Sequence, residues 1–139
     1  MPVSTQYYPE IPLVEVVWVG DITSKEFAEA NAVQIQWHLK DGITRFLNDL
    51  SRTDSLPVSL ATLFNLPAVE YERLNVDKFH LQIALIKPDS DKKEASELVE
   101  FYVDACVNRG WDAQIFTDRE LAIQWLQEAE HLPEFTPEL

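Results

Sequence analysis

Two hydrophobic patterns alternate along this 139-residue chain. Short apolar, β-branched runs predict strands, and apolar residues spaced three and four apart predict helices. The predicted strands cover 13–19, 43–50, 79–86 and 112–116, with a short edge strand at 7–8. The predicted helices cover 23–40, 57–65, 68–75, 92–109 and a last segment that ends near 129. Strands that alternate with helices pair in parallel through right-handed crossovers, so we expect a small α/β domain. We expect a mixed, mostly parallel sheet of four to five strands, with about four helices packed on it.

Local signals mark where these helices begin. Thr23-Ser24-Lys25-Glu26 is a capping box, in which a hydroxyl and a carboxylate each accept from the other residue's backbone N–H. Thr117-Asp118-Arg119-Glu120 repeats this pattern before the last helix. In the middle of the chain, residues 51–56 are predicted to form a polar turn, and Pro57 suits the first position of the helix that follows.

The length and composition are those of one domain. The chain has a mass of 16.0 kDa, with 46% apolar and 25% charged residues, which is ordinary globular usage. We expect a single domain over 1–139, with its core at about 11–129 and an acidic solvated tail at 130–139. The N-terminus has no basic segment before an apolar run, and no apolar run approaches ~20 residues. We therefore expect a cytoplasmic protein without membrane insertion.

Charge and composition also exclude several kinds of site. The net charge of −13 disfavours nucleic acid, whose phosphates are bound mainly by Lys and Arg. A single cysteine rules out an intramolecular disulfide, and Cys106 lies in a helical apolar pattern that predicts a core position. Each of the three glycines follows a predicted strand or helix and is explained by the end of that element. No two histidines have zinc-ligand spacing. No cofactor and no catalytic motif are predicted.

The best-placed polar cluster follows the second predicted strand, and it consists of Asp49, Ser51, Thr53, Asp54 and Ser55. Open α/β sheets bind ligands outside the carboxyl ends of their strands. The two carboxylates and three hydroxyls therefore suit a cation or a phosphoryl group. The alternative is structural: Asp54 or Ser55 caps the helix that begins at Pro57, and Asp49 stabilises the turn. Capping is the favoured interpretation.

Aromatic residues on two predicted helices are candidate interface residues. Phe27 and Trp37, with Val33, lie along the first helix, and Phe101 and Tyr102 lie along the fourth. Aromatic side chains are enriched at protein interfaces, so we expect a homodimer contact at one of these faces.

The order of elements and three short motifs carry a family resemblance. They are Val19-Gly20-Asp21-Ile22-Thr23, Phe46-Leu47-Asn48-Asp49-Leu50 and the 116–122 segment followed by Trp125. Together they resemble the STAS fold (sulfate transporter and anti-sigma-factor antagonist), and most nearly the SpoIIAA-like branch of small bacterial proteins. The likeness covers 11–129. Antagonist members carry an Asp-Ser-Ser-Gly or Asp-Ser-Thr-Gly turn whose first hydroxyl residue is phosphorylated. This chain has Leu56-Pro57-Val58-Ser59 there, so no phosphoacceptor is carried over.

Three functions remain open on this basis. The resemblance implies a non-enzymatic interaction or regulatory module that binds a partner protein or a second copy of itself, as in a homodimer. The alternative is a binder of a small apolar or lipid-like ligand, held in a pocket between helices and sheet. The third is an enzyme that uses Asp49 and Asp54 with a divalent cation.

Overall fold

Five strands form one mixed sheet in the order β1-β2-β3-β4-β5. In this computed structural model, which describes residues 3–57, 81–89, 91–108 and 111–128, the strands are β1 Val3–Tyr8, β2 Leu13–Asp21, β3 Arg45–Ser55, β4 Gln82–Ile86 and β5 Asp112–Phe116. β1 pairs antiparallel with β2, and the other three pairs are parallel. The prediction of a mixed, mostly parallel sheet with a preceding edge strand is confirmed.

Three helices lie within the described residues: α1 Ser24–Asp41, α2 Lys93–Asn108 and α3 Arg119–Glu128. The predicted capping box opens α1, since the Thr23 hydroxyl accepts from the Glu26 N–H at 3.1 Å and the Glu26 carboxylate accepts from the Thr23 N–H at 2.9 Å. Gly42 ends α1 with a left-handed φ of 70°, a conformation that costs glycine little. The cap of α3 lies one residue later than predicted, because Asp118, and not Thr117, accepts from the Glu120 N–H.

The helices divide over the two faces of the sheet. α1 and α2 cover one face, where Val14, Val16 and Trp18 of β2 belong to the larger apolar cluster. α3 covers part of the other face, where its buried Leu126 belongs to the same smaller apolar cluster as Leu13 of β2. β2 therefore contributes side chains to both layers, as its apolar sequence predicts.

β3 is longer than predicted. The apolar run ends at Leu50, but the strand continues to Ser55, through the segment expected to be a turn. β2 extends to Asp21 and supplies backbone partners for this polar half, with Gly20 opposite Thr53 and Asp21 opposite Ser55. Two register shifts accommodate the extension. A strand is stabilised by backbone pairing as well as by its side chains, so a polar segment beside a long neighbour stays extended.

The remaining elements agree with the sequence apart from their ends. β5 has the predicted bounds, and α2 covers 93–108. β4 covers Gln82–Ile86 of the predicted 79–86, of which residues 79 and 80 lie outside the described part of the chain. The predicted helices 57–65 and 68–75, His80, and the tail with His131 lie wholly or almost wholly outside the described residues. No helix in the described part of the chain is long and apolar enough to cross a membrane.

Candidate interaction surface

The polar cluster predicted from the sequence divides into separate pairs. Asp49 accepts from both the backbone N–H and the hydroxyl of Ser51, at 3.0 and 2.7 Å. Thr53 is buried, and its hydroxyl donates to the Trp18 carbonyl at 3.3 Å. These side chains bond to their own strand or to its neighbour. The structure therefore does not bring all five residues into one site.

The last two residues of the cluster tie β3 to neighbouring elements. Ser55 donates to the Asp21 carboxylate at 2.8 Å, which links the ends of β3 and β2. Asp54 forms an ion pair of 3.0 Å with Lys92, just before α2, and its carboxylate raises the pKa of Lys92. Among the described residues, no group of three or more His, Cys, Asp or Glu side chains is placed to hold a metal ion. At these positions the side chains link β3 to β2 and to the residue before α2.

A second polar cluster, not predicted from the sequence, lies on the α3 face of the sheet. Glu15 of β2 is only 5% exposed, and Arg119 at the start of α3 binds it through two nitrogens, at 2.7 and 3.0 Å. The Tyr8 hydroxyl donates to the same carboxylate at 2.9 Å. The cluster therefore joins β1, β2 and α3. Sequence offers no signal for it, since Glu15 and Arg119 are 104 residues apart.

The environment fixes the charge states of this cluster. Burial by itself raises the pKa of Glu15, but the hydrogen bonds from Arg119 and Tyr8 outweigh it, so the pKa is lowered overall. The hydrogen bond to Glu15 raises the pKa of Tyr8. The same carboxylate raises the pKa of Arg119. The buried Glu15 carboxylate is therefore balanced by the Arg119 cation, and this ion pair attaches α3 to the sheet.

A third polar group lies beneath α1 on the opposite face. The Trp18 indole N–H donates to the Asn48 side chain at 3.0 Å, and Asn48 and Gln34 exchange hydrogen bonds at 3.1 and 3.3 Å. The cavity beside them is about 20 Å³, the room of about one water molecule. This volume does not favour the predicted pocket for a lipid-like ligand.

The four candidate interface residues do not share a surface. Phe27 is 5% exposed and packs against Trp18 with ring centroids 5.7 Å apart, so it is a core residue. This corrects its assignment to an interface, and the reason is that α1 turns this side chain toward the sheet. Trp37 is half-buried at the side of α1. Phe101, 47% exposed, and Tyr102, half-buried, lie on α2.

Trp37 instead belongs to a surface shared by α1 and β1. The Tyr7 and Trp37 rings stack with centroids 5.2 Å apart, and Tyr7 remains 38% exposed. Val33, one turn earlier on α1, is 41% exposed. We call the side chains of Val3, Thr5, Tyr7, Val33 and Trp37 the β1–α1 surface.

A groove of about 430 Å³ runs along one end of this surface. Val3 and Thr5 of β1 form one wall, and Ala30 and Val33 of α1 form the other, with Glu26 and Glu29 along the helix. The spacing of apolar and aromatic residues along α1 predicts the α1 half of this surface, whereas the β1 half was not predicted. The available signal was the composition of β1, Val-Ser-Thr-Gln-Tyr-Tyr, which has no charge and no proline.

Comparison with known proteins gives matches in structure only. No protein-family model matches this chain, and no curated protein matches its sequence. The anti-sigma factor antagonist SpoIIAA in its unphosphorylated form matches with a TM-score of 0.57 and 10% identity, over 94% of this chain and 99% of that chain.

Two further solved structures have the same architecture. The phosphorylated form of the Bacillus cell fate determinant SpoIIAA matches with a TM-score of 0.55 and 11% identity, over 89% of this chain and 98% of that chain. An uncharacterised protein of the DUF3478 family from Shewanella loihica PV-4, with a SpoIIAA-like fold, has a TM-score of 0.52 and 17% identity, over 89% and 91% of the two chains. The chain therefore has the STAS-type, SpoIIAA-like α/β fold, as its sequence motifs predict.

Proposed function

We propose that this protein is a non-enzymatic protein-interaction module that binds through the β1–α1 surface. The observation that carries the proposal is an exposed, uncharged edge strand beside a helix with exposed apolar side chains. Edge strands of folded proteins are usually protected by charges, proline or bulges, because an unpaired edge is a template for another strand. β1 has neither charge nor proline, and it pairs with β2 in continuous register.

The polar residues support the same conclusion. In the polar cluster predicted from the sequence, Asp54 pairs with Lys92 and Ser55 donates to Asp21. The Glu15 carboxylate accepts from Arg119 and Tyr8. A catalytic carboxylate or hydroxyl must be directed toward a substrate. These groups are directed toward their own neighbours. The likeness to an anti-sigma factor antagonist, at fold level, agrees with a regulatory role of this kind.

Photo-crosslinking in cells tests the proposal. The variant Tyr7→p-benzoylphenylalanine places a photoreactive ring on the β1–α1 surface at an exposed aromatic position. We expect irradiation to attach a protein, either another chain or a second copy, at this position. The matched control is Leu121→p-benzoylphenylalanine, because Leu121 is 53% exposed on α3, away from the surface.

The comparison of the two positions decides the outcome. Crosslinked protein at position 7 in clear excess over position 121 supports the interaction module. Equal or no crosslinking at both positions, with both variants folded by circular dichroism, overturns it.

A further inference from the structure

The outer edge of β1 is a surface that a second strand fits. Among the described strands, β1 pairs only with β2, so no described strand lies at its other edge. The strand is six residues long, and Ser4 through Tyr7 are exposed. Its backbone N–H and C=O groups on that side therefore offer a regular ladder to an incoming strand.

The α1 face of β1 carries an exposed aromatic ring at one end and borders the groove at the other. Val3, Thr5 and Tyr7 lie on this face, since they pair with Trp18, Val16 and Val14 of β2. The groove lies beside Val3, and the Tyr7 ring, which stacks on Trp37 and is 38% exposed, lies four residues later. At about 3.4 Å per residue, the two features are about 14 Å apart along the strand.

We infer that β1 pairs antiparallel with β1 of a second copy of this chain, about a twofold axis at Thr5, so that each Tyr7 enters the other copy's groove. This inference rests on the proposed function and names its partner. Twofold pairing is isologous, so an exposed ring and a groove at the two ends of one strand meet each other twice. With the axis at Thr5, Val3 of each copy lies opposite Tyr7 of the other, and Ser4 lies opposite Gln6.

Charge favours this edge over other parts of the surface as the contact between copies. Each copy has a net charge of −13, so most approaches between two copies are repulsive. The six residues of β1 are uncharged, and they are the residues that the axis brings closest together. Glu26 and Glu29 at the groove face the entering tyrosine, whose hydroxyl can donate to a carboxylate.

Engineered cysteines test both the pairing and its register. In the purified Thr5→Cys variant the two thiols lie directly opposite each other across the axis, at a separation that a disulfide can bridge with small adjustment. We expect mild oxidation to give a covalent dimer. The native Cys106 does not interfere, because burial raises its pKa to about 12 and keeps the thiol protonated.

Off-axis cysteines provide the matched control. Ser4→Cys alone and Gln6→Cys alone have no symmetric partner, whereas a mixture of the two variants brings unlike thiols together in the same register. We expect a disulfide-linked heterodimer in the mixture and much less linkage in either variant alone. Equal linkage in all samples, or linkage of Ser4→Cys with itself in excess, overturns the register.

Sedimentation equilibrium of the purified wild-type chain then tests self-association without a crosslink. We expect a reversible dimer whose dissociation constant rises at least tenfold, in order of magnitude, in both Thr5→Glu and Thr5→Lys, because each places two like charges face to face. Val107→Glu, at an exposed position on α2, is expected to leave the dissociation constant unchanged. A wild-type monomer, or a dimer unaffected by both Thr5 variants, overturns the inference.

The two proposals fail separately. If position 7 crosslinks a different protein in cells while the purified chain stays monomeric and Thr5→Cys does not link, the interaction module stands and pairing with a second copy is wrong. If neither experiment detects a partner, both are wrong.

Discussion

Polar residues in the middle of β2 and β3 show how this fold buries hydrogen-bonding groups. Glu15 and Asn48 are 5% and 3% exposed, and they project from opposite faces of the sheet. Glu15 is satisfied by Arg119 and Tyr8, and Asn48 by Trp18 and Gln34. A buried polar group without a partner costs about 1–3 kcal/mol, so each of these partners determines how an element sits on the sheet.

Removing Arg119 tests this at the level of one residue. We expect Arg119→Met to lower the free energy of unfolding at pH 7 by about 1–3 kcal/mol, because the Glu15 carboxylate is left buried without its ion-pair partner. In the wild type the pKa of Glu15 is lowered, so its stabilisation is present above the unfolded pKa of 4.5 and is lost as the pH falls through the folded pKa. The difference between wild type and variant should therefore shrink below about pH 4.5. Urea unfolding at pH 7 and pH 4 measures it.

Arg52→Met is the control for this change, since it removes the same charge from an exposed position on β3. We expect it to change the free energy of unfolding by less than about 0.5 kcal/mol. An Arg119→Met effect that is the same at both pH values would instead indicate lost packing of the arginine stem.

At the scale of elements, capping side chains determine where α1 and α3 begin. The box at Thr23 and Glu26 is reciprocal, whereas at α3 the cap is Asp118 alone, which accepts from Glu120. The threonine before it has the residue type of a cap but lies one position too early. A side chain caps only when its oxygen reaches the N–H two or three residues ahead.

Alanine substitutions distinguish the cap from its neighbour. We expect Thr23→Ala and Asp118→Ala each to lower the free energy of unfolding by about 1 kcal/mol, because each leaves a helix N–H without its acceptor. Thr117→Ala is the matched control, with an expected change below about 0.5 kcal/mol. Denaturant unfolding measures all three. A larger loss for Thr117→Ala than for Asp118→Ala would place the cap where the sequence alone predicted it.

At the scale of the whole molecule, the net charge of −13 governs any approach of two copies. Repulsion between like-charged proteins acts over about a Debye length, which is about 30 Å at 0.01 M ionic strength and about 10 Å at 0.1 M. Salt therefore weakens the repulsion between two copies strongly, whereas the strength of an uncharged contact at β1 depends little on salt concentration.

The affinity between the two copies in the proposed dimer should therefore increase with salt concentration. We expect its dissociation constant to fall several-fold when sodium chloride is raised from about 0.01 to about 0.1 M, because the screening length shortens. Sedimentation equilibrium at both concentrations measures this, with sucrose at matched osmolality as the control. A dissociation constant that rises with salt would show that opposite charges hold the copies together, contrary to an uncharged contact.

The sequence by itself determined the alternation of strands and helices, the mixed and mostly parallel sheet, the capping box at Thr23 and the fold-level resemblance. These features depend on neighbouring residues: the period of apolar positions follows from the geometry of a strand or helix, and a cap spans three residues. The α1 half of the β1–α1 surface was within reach for the same reason, since Val33 and Trp37 are spaced along one helix.

Tertiary structure decided the rest. It placed Phe27 in the core and Trp37 against Tyr7, because the rotation of α1 on the sheet depends on every side chain beneath it. It extended β3 to Ser55, because the length of β2 provides backbone partners that the β3 sequence does not reveal. It also paired Glu15 with Arg119 across 104 residues. Contacts between distant segments follow from chain topology, and local patterns carry no information about which distant partner a polar side chain will find.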